Sequence, residues 1–478
     1  MTPNNGDRQM ELFSSLPPAP LRESLPHQLD AIAYAFPRSK IALFMEMRLG
    51  KSLVAVRWAQ RRGAKKVLVV APLSSLGPWE EELYKERIPR NQVHYLLGSK
   101  TKRLQTSKIS EGWFLVNYEG LRSCPEILKQ NWKAVILDES TRIRNPKAQI
   151  TRLLTNELFY VPNRCILSGL PNPESSMDYF EQFRFLDGSF LNKVNFWLFR
   201  HSLYHKGWSA WDWVPNRGTI DRIKSEVHAK AFVLTRSQCK VGSRKVHEKR
   251  FVYMSPKQKK LYKEVEKTFA YEYGMEREST QWVVVKYLWL SRLAGGFLPV
   301  EKENEPKKVT LISEEKTKLL KELLTGELKN EKAVVWFRFN SELKHVQKFL
   351  ESEGIGCVSI LGETLTDQRN RNSFQFQTNP KIRVMLAQVK CGKFSYDWSV
   401  ASTAIYYSNA YDAEDRAQSE DRIIHPKKTE PVLYLDLITK DTVDEDIVET
   451  LKDKNVNSKI FMMQLMSKTL ERLKAKFK

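Results

Sequence analysis

Two sets of short apolar runs, set apart by a long stretch of different character, constrain this chain more than any other feature. Ile41–Met45, Val67–Ala71, Trp113–Asn117, Ala134–Asp138 and Arg164–Ser168 form the first set. Each is short, rich in β-branched or aromatic residues and bounded by turn or polar residues, so each reads as a buried strand. Helical stretches such as Leu53–Arg62 lie between them. That alternation predicts a parallel sheet covered by helices. Ala333–Phe337, Cys357–Leu361, Arg383–Ala387, Thr403–Tyr407 and Val432–Leu437 form the second set, separated by patterns such as Ser341–Glu353. The expected fold class is α/β, with two parallel-sheet lobes.

The organisation follows from the same pattern. Residues 1–20 end in Pro17-Pro-Ala-Pro20 and read as a loose lead-in. Residues 21–240 form the first lobe, with a helical insertion at about 186–235. Residues 241–310 read as a helical insertion with a charged linker at Glu301–Lys308, and residues 311–450 as the second lobe. Trp197, Trp208, Trp211 and Trp213 cluster in the insertion. They suit either a packed insertion core or stacking on bases. In residues 451–478, Ile460, Met463, Met466, Leu470, Leu473 and Phe477 recur at helical spacing, so a basic amphipathic helix is expected there.

Charge points to a partner. The chain carries 78 Lys+Arg against 56 Asp+Glu, a net +22, which favours a polyanion, nucleic acid before an anionic membrane. No apolar run reaches the roughly 18 residues of a membrane span, so no membrane segment is expected. Five cysteines, an odd number without a CxxC pair, argue for reduced thiols in a cytoplasm. His201 and His205 have helical metal-ligand spacing, but no cysteine or acidic pair completes a set, so no zinc site is expected.

Two segments carry chemistry. Met45-Glu-Met-Arg-Leu-Gly-Lys-Ser52 follows a strand and opens a helix, the context of a nucleotide phosphate loop, though the strict pattern has glycine where Met45 stands. There backbone N–H groups attract phosphate, Lys51 reaches the β- and γ-phosphates, and the Ser52 hydroxyl ligates Mg²⁺. Downstream, the strand Val135-Ile-Leu delivers Asp138 and Glu139 to its C-terminal end, the ligand-binding edge of an open α/β sheet. Asp138 suits Mg²⁺ and Glu139 the orientation of an attacking water. Taken singly, the first is also a strand–turn–helix junction and the second a solvated acidic turn.

The ordered set resembles the Swi/Snf-like branch of superfamily 2 helicases and translocases from about residue 22 to 448. Leu25-Pro-His-Gln28 resembles the opening adenine-sensing segment, and Glu46 to Ser52 motif I. Val69-Val-Ala-Pro-Leu73 with Trp79 resembles motif Ia, and Val116-Asn-Tyr-Glu119 the next DNA-side segment. Asp138-Glu-Ser-Thr-Arg-Ile-Arg144 with its Asn-Pro tail is similar to motif II, and Leu167-Ser-Gly-Leu-Pro-Asn172 to motif III. Val334–Phe337, Leu361-Gly-Glu-Thr364 with Arg369 and Phe374, Gly392–Ala401, Gln418-Ser-Glu-Asp-Arg422 and Thr442-Val-Asp-Glu445 follow in family order.

The resemblance implies two RecA-like lobes with helical insertions, ATP and Mg²⁺ as cofactors, and DNA as partner. ATP would sit between the lobes, which would close on it and ratchet along DNA. Gln28, Arg48, Gly50, Lys51, Ser52, Gly392 and Asp397 would serve the nucleotide, and Ser52 and Asp138 the metal. Arg422 and His425 occupy the arginine-finger region. Ser74, Trp79, Tyr118, Arg142, Arg144, Arg338 and Arg369 would face DNA, and Ser168 and Gly169 would couple the two ligands. A monomeric, stand-alone ATPase motor of a bacterial or phage-infected cytoplasm is the expected protein. A DNA-binding protein with a slow ATP switch and an RNA-directed motor are the alternatives.

Three departures bear on turnover. Arg48 stands where the family usually has glycine, and Ser140 and Thr141 complete the acidic tetrad. The second arginine of motif VI is His425. An arginine finger is worth about 10³–10⁵ in rate, and a mostly neutral imidazole makes no equivalent fork contact. Either Arg422 suffices, Lys427 or Lys428 substitutes, or turnover is slow. Lys393 and Ser395 also replace usual glycines of motif V.

Overall fold

The structure is a computed structural model. It describes residues 22–169, 175–207, 213–239, 243–274, 280–300, 308–393, 396–425 and 428–451. The expected lead-in, the C-terminal basic helix, Trp208, Trp211, the motif III tail from Leu170, Ser395 and Lys427 lie outside these residues. Two compact units adjoin in sequence at Val241 and Gly242.

Among the described residues the first unit has nine strands: β1 (Lys40–Met45), β2 (Lys66–Ala71), β3 (Val93–Tyr95), β4 (Gly112–Asn117), β5 (Ala134–Leu137), β6 (Asn163–Ser168), β7 (Tyr204–Lys206), β8 (Trp213–Pro215) and β9 (Ala231–Leu234). Seven make one sheet in the order β3-β4-β2-β5-β6-β1-β9, every pair parallel. β2 and β6 are buried along their whole length, because helices cover both faces of a parallel sheet. Two apolar clusters flank the sheet, one around Trp58 and Trp79 and the other around Phe114, Phe180 and Phe183. β5, β6 and β1 are consecutive neighbours. The turns after them, which hold Asp138–Glu139, Ser168–Gly169 and Glu46–Gly50, therefore emerge side by side at the ligand-binding edge of the sheet.

The second unit contains β10 (Lys245–Val252), β11 (Phe297–Val300), β12 (Lys308–Leu311), β13 (Ala333–Phe337), β14 (Cys357–Ile360), β15 (Val384–Gln388), β16 (Thr403–Tyr406) and β17 (Val432–Thr439). Six make an all-parallel sheet, β10-β17-β16-β13-β15-β14. Residues 186–310, read from sequence as helical, do contain long helices, Pro256–Gly274 and Thr280–Ala294 among them. They also supply β9 and β10, one edge strand to each sheet, and the antiparallel pairs β7–β8 and β11–β12. From Val246 on, β10 alternates half-buried and exposed positions, as suits a strand covered on one face only.

One charge lies deep in the second unit. Glu342, in the helix Asn340–Ser352, is fully buried. Its carboxylate accepts a hydrogen bond from the Ser408 hydroxyl, while Oε1 has no hydrogen-bond partner among the described residues. Burial pushes this carboxyl up to about 7, against the pull of Ser408 and Lys316. The native state therefore holds a proton that the unfolded chain releases near the ordinary value of 4.5. Stability attributable to Glu342 is present below that value and is lost as pH rises toward 7. Glu342→Gln should remove this loss. The stability of the variant relative to the parent, from urea unfolding, should rise by about 3 kcal/mol between pH 4 and pH 8. A constant difference would show that Glu342 ionises normally.

Candidate functional site

The turn after β1 is shaped as a phosphate loop. Gly50 has φ 86° and precedes the helix Lys51–Arg61, whose first N–H groups face the turn. Lys51 Nζ donates to the Met45 and Glu46 carbonyls at 2.9 and 3.4 Å, so its ammonium lies within the loop. Arg48 sits in the left-handed region at φ 68°. A glycine adopts that conformation without strain, which is the physical reason one would be favoured there.

The loop is braced from outside. His27 Nε2 lies 3.1 Å from the Leu49 carbonyl, and Gln28 Nε2 donates to the same oxygen at 3.3 Å. Gln28 Oε1 accepts from Leu25 N at 3.0 Å. Both ends of the Gln28 amide are thus engaged with protein, and a Cβ on Gly50 would fall 2.2 Å from Nε2. Arg236 adds a further tie, donating from its backbone N and from Nε to Glu46 Oε2 at 2.9 and 3.2 Å. His27 and Arg236 carried no signal as braces in the sequence. His27 adjoins a motif residue, and Arg236 is far away in the chain.

Asp138 is the most constrained residue of the site. Trp79 Nε1 donates to its Oδ2 at 2.9 Å, the Glu139 amide donates to its Oδ1 at 3.0 Å, and the Tyr118 hydroxyl donates to its carbonyl at 2.7 Å. Burial raises the Asp138 carboxyl above its ordinary range, while the Trp79 hydrogen bond, the Lys51 charge and the Glu139 amide pull it down. Burial, then the charges of Asp138 and Glu139, hold the Tyr118 phenol far above its usual value. This corrects the reading of Trp79 and Tyr118 as DNA contacts. They are 2% and 3% exposed, because large rings beside a sheet gain more from the core than from solvent. Glu139 takes φ 50°, a second strained non-glycine position.

The other first-unit candidates are distributed around this centre. Ser168 is buried at the end of β6, and a Cβ on Gly169 would lie 3.0 Å from Met47 and 3.6 Å from Lys51 Nζ. Ser140 is buried and donates to Gln182 at 2.6 Å. Ser74 is half-buried in the 3-10 turn Leu73–Ser75. Arg142 is exposed and 3.6 Å from Glu119, and Arg144 is half-buried and 3.8 Å from Asp178.

The second unit holds candidates of its own. Arg422 is 8% exposed, with Nε donating to the Gln418 carbonyl at 3.1 Å. His425 is half-buried. Lys428 donates its ammonium to the Ser399 and Ala401 carbonyls at 3.0 and 2.7 Å. Arg338 is half-buried, with its guanidinium 3.2 Å from the centre of the Tyr411 ring. Arg369 donates to the Gly362 carbonyl at 2.6 Å. Gly392 lies so close to Ser419 that a Cβ would meet its backbone at 2.9 Å, and Asp397 Oδ1 accepts from Ser399 N. Sequence reading missed Arg416, which pairs with Asp436 at 2.6 Å and Glu420 at 2.9 Å beneath motif VI. Its position inside a conspicuously charged helix hid its burial.

The donor set fits a nucleotide with a hard divalent cation. A desolvated carboxylate is costly without a compensating cation, and half-buried Asp138 with the Ser52 hydroxyl offers the oxygen ligands Mg²⁺ prefers. The helix start and Lys51 supply charge for phosphate. No group of three or more metal-ligating side chains occurs among the described residues, and none of their helices is long and apolar enough to cross a membrane.

A parallel α/β sheet with a glycine-ended loop beside a carboxylate pair is the architecture of the nucleoside-triphosphate motors. Within that class the chain belongs to the SNF2-related domain family, which matches residues 31–327, and the helicase conserved C-terminal domain matches residues 315–427. The chain is 21% identical to the SWI/SNF-related matrix-associated actin-dependent regulator of chromatin subfamily A-like protein 1 of Drosophila melanogaster, over 93% of this chain and 57% of that one. It is 22% identical to the Caenorhabditis elegans homologue over 93% of this chain and 62% of that one. An uncharacterized ATP-dependent helicase of Mycoplasma pneumoniae is 21% identical over 89% and 40% of the two chains. The chain thus spans about three fifths of the first two relatives or less. A solved structure, the Sulfolobus solfataricus SWI2/SNF2 ATPase core in complex with dsDNA, is similar over 96% of this chain and 98% of that one, with 19% identity and a TM-score of 0.43.

Groups that hydrogen-bond to a metal's ligands and orient them typically contribute 10- to 100-fold to metal affinity. Trp79→Phe should therefore raise the Mg²⁺ concentration that half-saturates nucleotide binding by about tenfold. Titration with a fluorescent nucleotide would measure it, and an unchanged midpoint would show that the indole only packs.

Proposed function

We propose that this protein is a DNA-dependent ATPase motor that moves on duplex or branched DNA, as in branch migration or fork reversal. One observation carries the reading: Lys51 and the clamped Asp138–Glu139 pair lie at one edge of one sheet, after the ends of β1 and β5 with β6 between them. Bound Mg²⁺ would neutralise phosphate charge. Lys51 would hold the β- and γ-phosphates, Ser52 and Asp138 would hold the metal, and Glu139 would orient water. The net charge of +22 supports a polyanionic track. A name that includes "ATP-dependent helicase" among the relatives supports the activity class. Five free cysteines support a reducing compartment such as a cytoplasm.

His425 favours a second reading, a DNA-binding protein whose ATP site is a slow switch. The variants separate the two. Lys51→Ala should abolish measurable nucleotide binding. Glu139→Gln should bind ATP normally and lose at least about 100-fold in duplex-stimulated hydrolysis, on the scale of a missing water-orienting group. His425→Arg should accelerate hydrolysis if the finger is missing. Hydrolysis by the parent no faster than by Lys51→Ala, with DNA still bound, would establish the switch. Stronger stimulation by duplex RNA than by duplex DNA would redirect the reading to RNA.

A further inference from the structure

Trp197 is 60% exposed, although a tryptophan normally buries most of its ring. It lies on the helix Phe196–Leu203, whose Phe199 is buried against Phe180 and Phe190. That anchor leaves folding of the helix independent of Trp197. The indole is nevertheless held in place. It stacks on the His201 imidazole with centroids 4.2 Å apart and planes 25° apart. His201 in turn meets the Trp213 ring edge-on at 4.9 Å, and the Arg200 guanidinium lies 4.2 Å over that same ring. The sequence left these tryptophans either packed or available for stacking, and the structure divides them: Trp213 is half-buried under Arg200, and Trp197 presents its ring to solvent.

The surrounding charge selects an occupant. From Gly188 to Gly218 the chain carries Lys193, Arg200, Lys206 and Arg217 with two histidines, and a single acid, Asp212. A flat aromatic surface in a segment so depleted of acids suits a ligand that is both aromatic and anionic. Nucleic acid is such a ligand, and base–aromatic stacking is worth ~1–3 kcal/mol per base. Inside a duplex each base face is already covered by its neighbours, so only a base out of the helix can lie on the indole.

We propose that Trp197, ordered by His201, stacks on an unpaired nucleobase, so that the preferred DNA is forked, gapped or branched and not uniform duplex. This rests on the DNA-motor reading and adds a substrate class to it. The test compares equilibrium binding, by fluorescence anisotropy, of a blunt duplex and a fork of equal length. Trp197→Ala should weaken fork binding about tenfold, within the stacking range, and leave duplex binding within about twofold. Trp197→Phe, which keeps a ring, should retain most fork affinity. A 2-aminopurine at the first unpaired position should change emission on binding the parent protein and not Trp197→Ala. Equal losses on both DNAs, or no loss on the fork, would overturn the proposal, and the second result would leave the face to a protein partner. Failure of the unaltered protein to bind any DNA would overturn the motor reading itself, which a null result for Trp197 alone would not.

Discussion

A single aspartate, its side chain and backbone held from three directions, organises the first unit. Asp138 leaves β5 where β1 and β6 end, and it is positioned by an indole, a phenol and its own following amide. Burying that charge is unfavourable unless hydrogen bonds and a cation offset it. Trp79 and the Glu139 amide provide the first, and Lys51 provides positive charge nearby. Both rings lie in segments that resemble DNA-side motifs.

Backbone strain marks the same place. Arg48 and Glu139 both take left-handed conformations that non-glycine residues rarely adopt, one in the turn after β1 and one after β5. Such positions persist where neighbouring contacts hold them, here the braces from His27, Gln28 and Arg236 on one side and the Asp138 clamp on the other. The second unit applies a similar economy to motif VI. Arg416, between Asp436 and Glu420 and over the Tyr406 ring, fixes the helix that leads to Arg422 and His425.

Much of the fold is readable from sequence because parallel strands buried on both faces are continuous apolar runs. Ala333–Phe337 and Lys66–Ala71 coincide with such runs almost residue for residue. β3 escaped because it is three residues long, β9 because it lies in a stretch read as helical, and β10 because its polar run His247–Arg250 looks like surface. The phosphate loop and acidic pair were legible because their chemistry requires particular residues at particular strand ends. Trp79 and Tyr118 were not, since motif order locates a segment without saying which way a ring turns. That direction is decided by the core it packs against.

Movement along DNA is the central claim, and displacement of a triplex-forming strand from a duplex tests it most directly. A DNA motor predicts ATP-dependent release of the third strand, absent with Lys51→Ala and with a non-hydrolysable nucleotide. Tight duplex binding with ATP hydrolysis but no release above the Lys51→Ala control would contradict it, and would leave an ATPase that binds DNA without travelling along it.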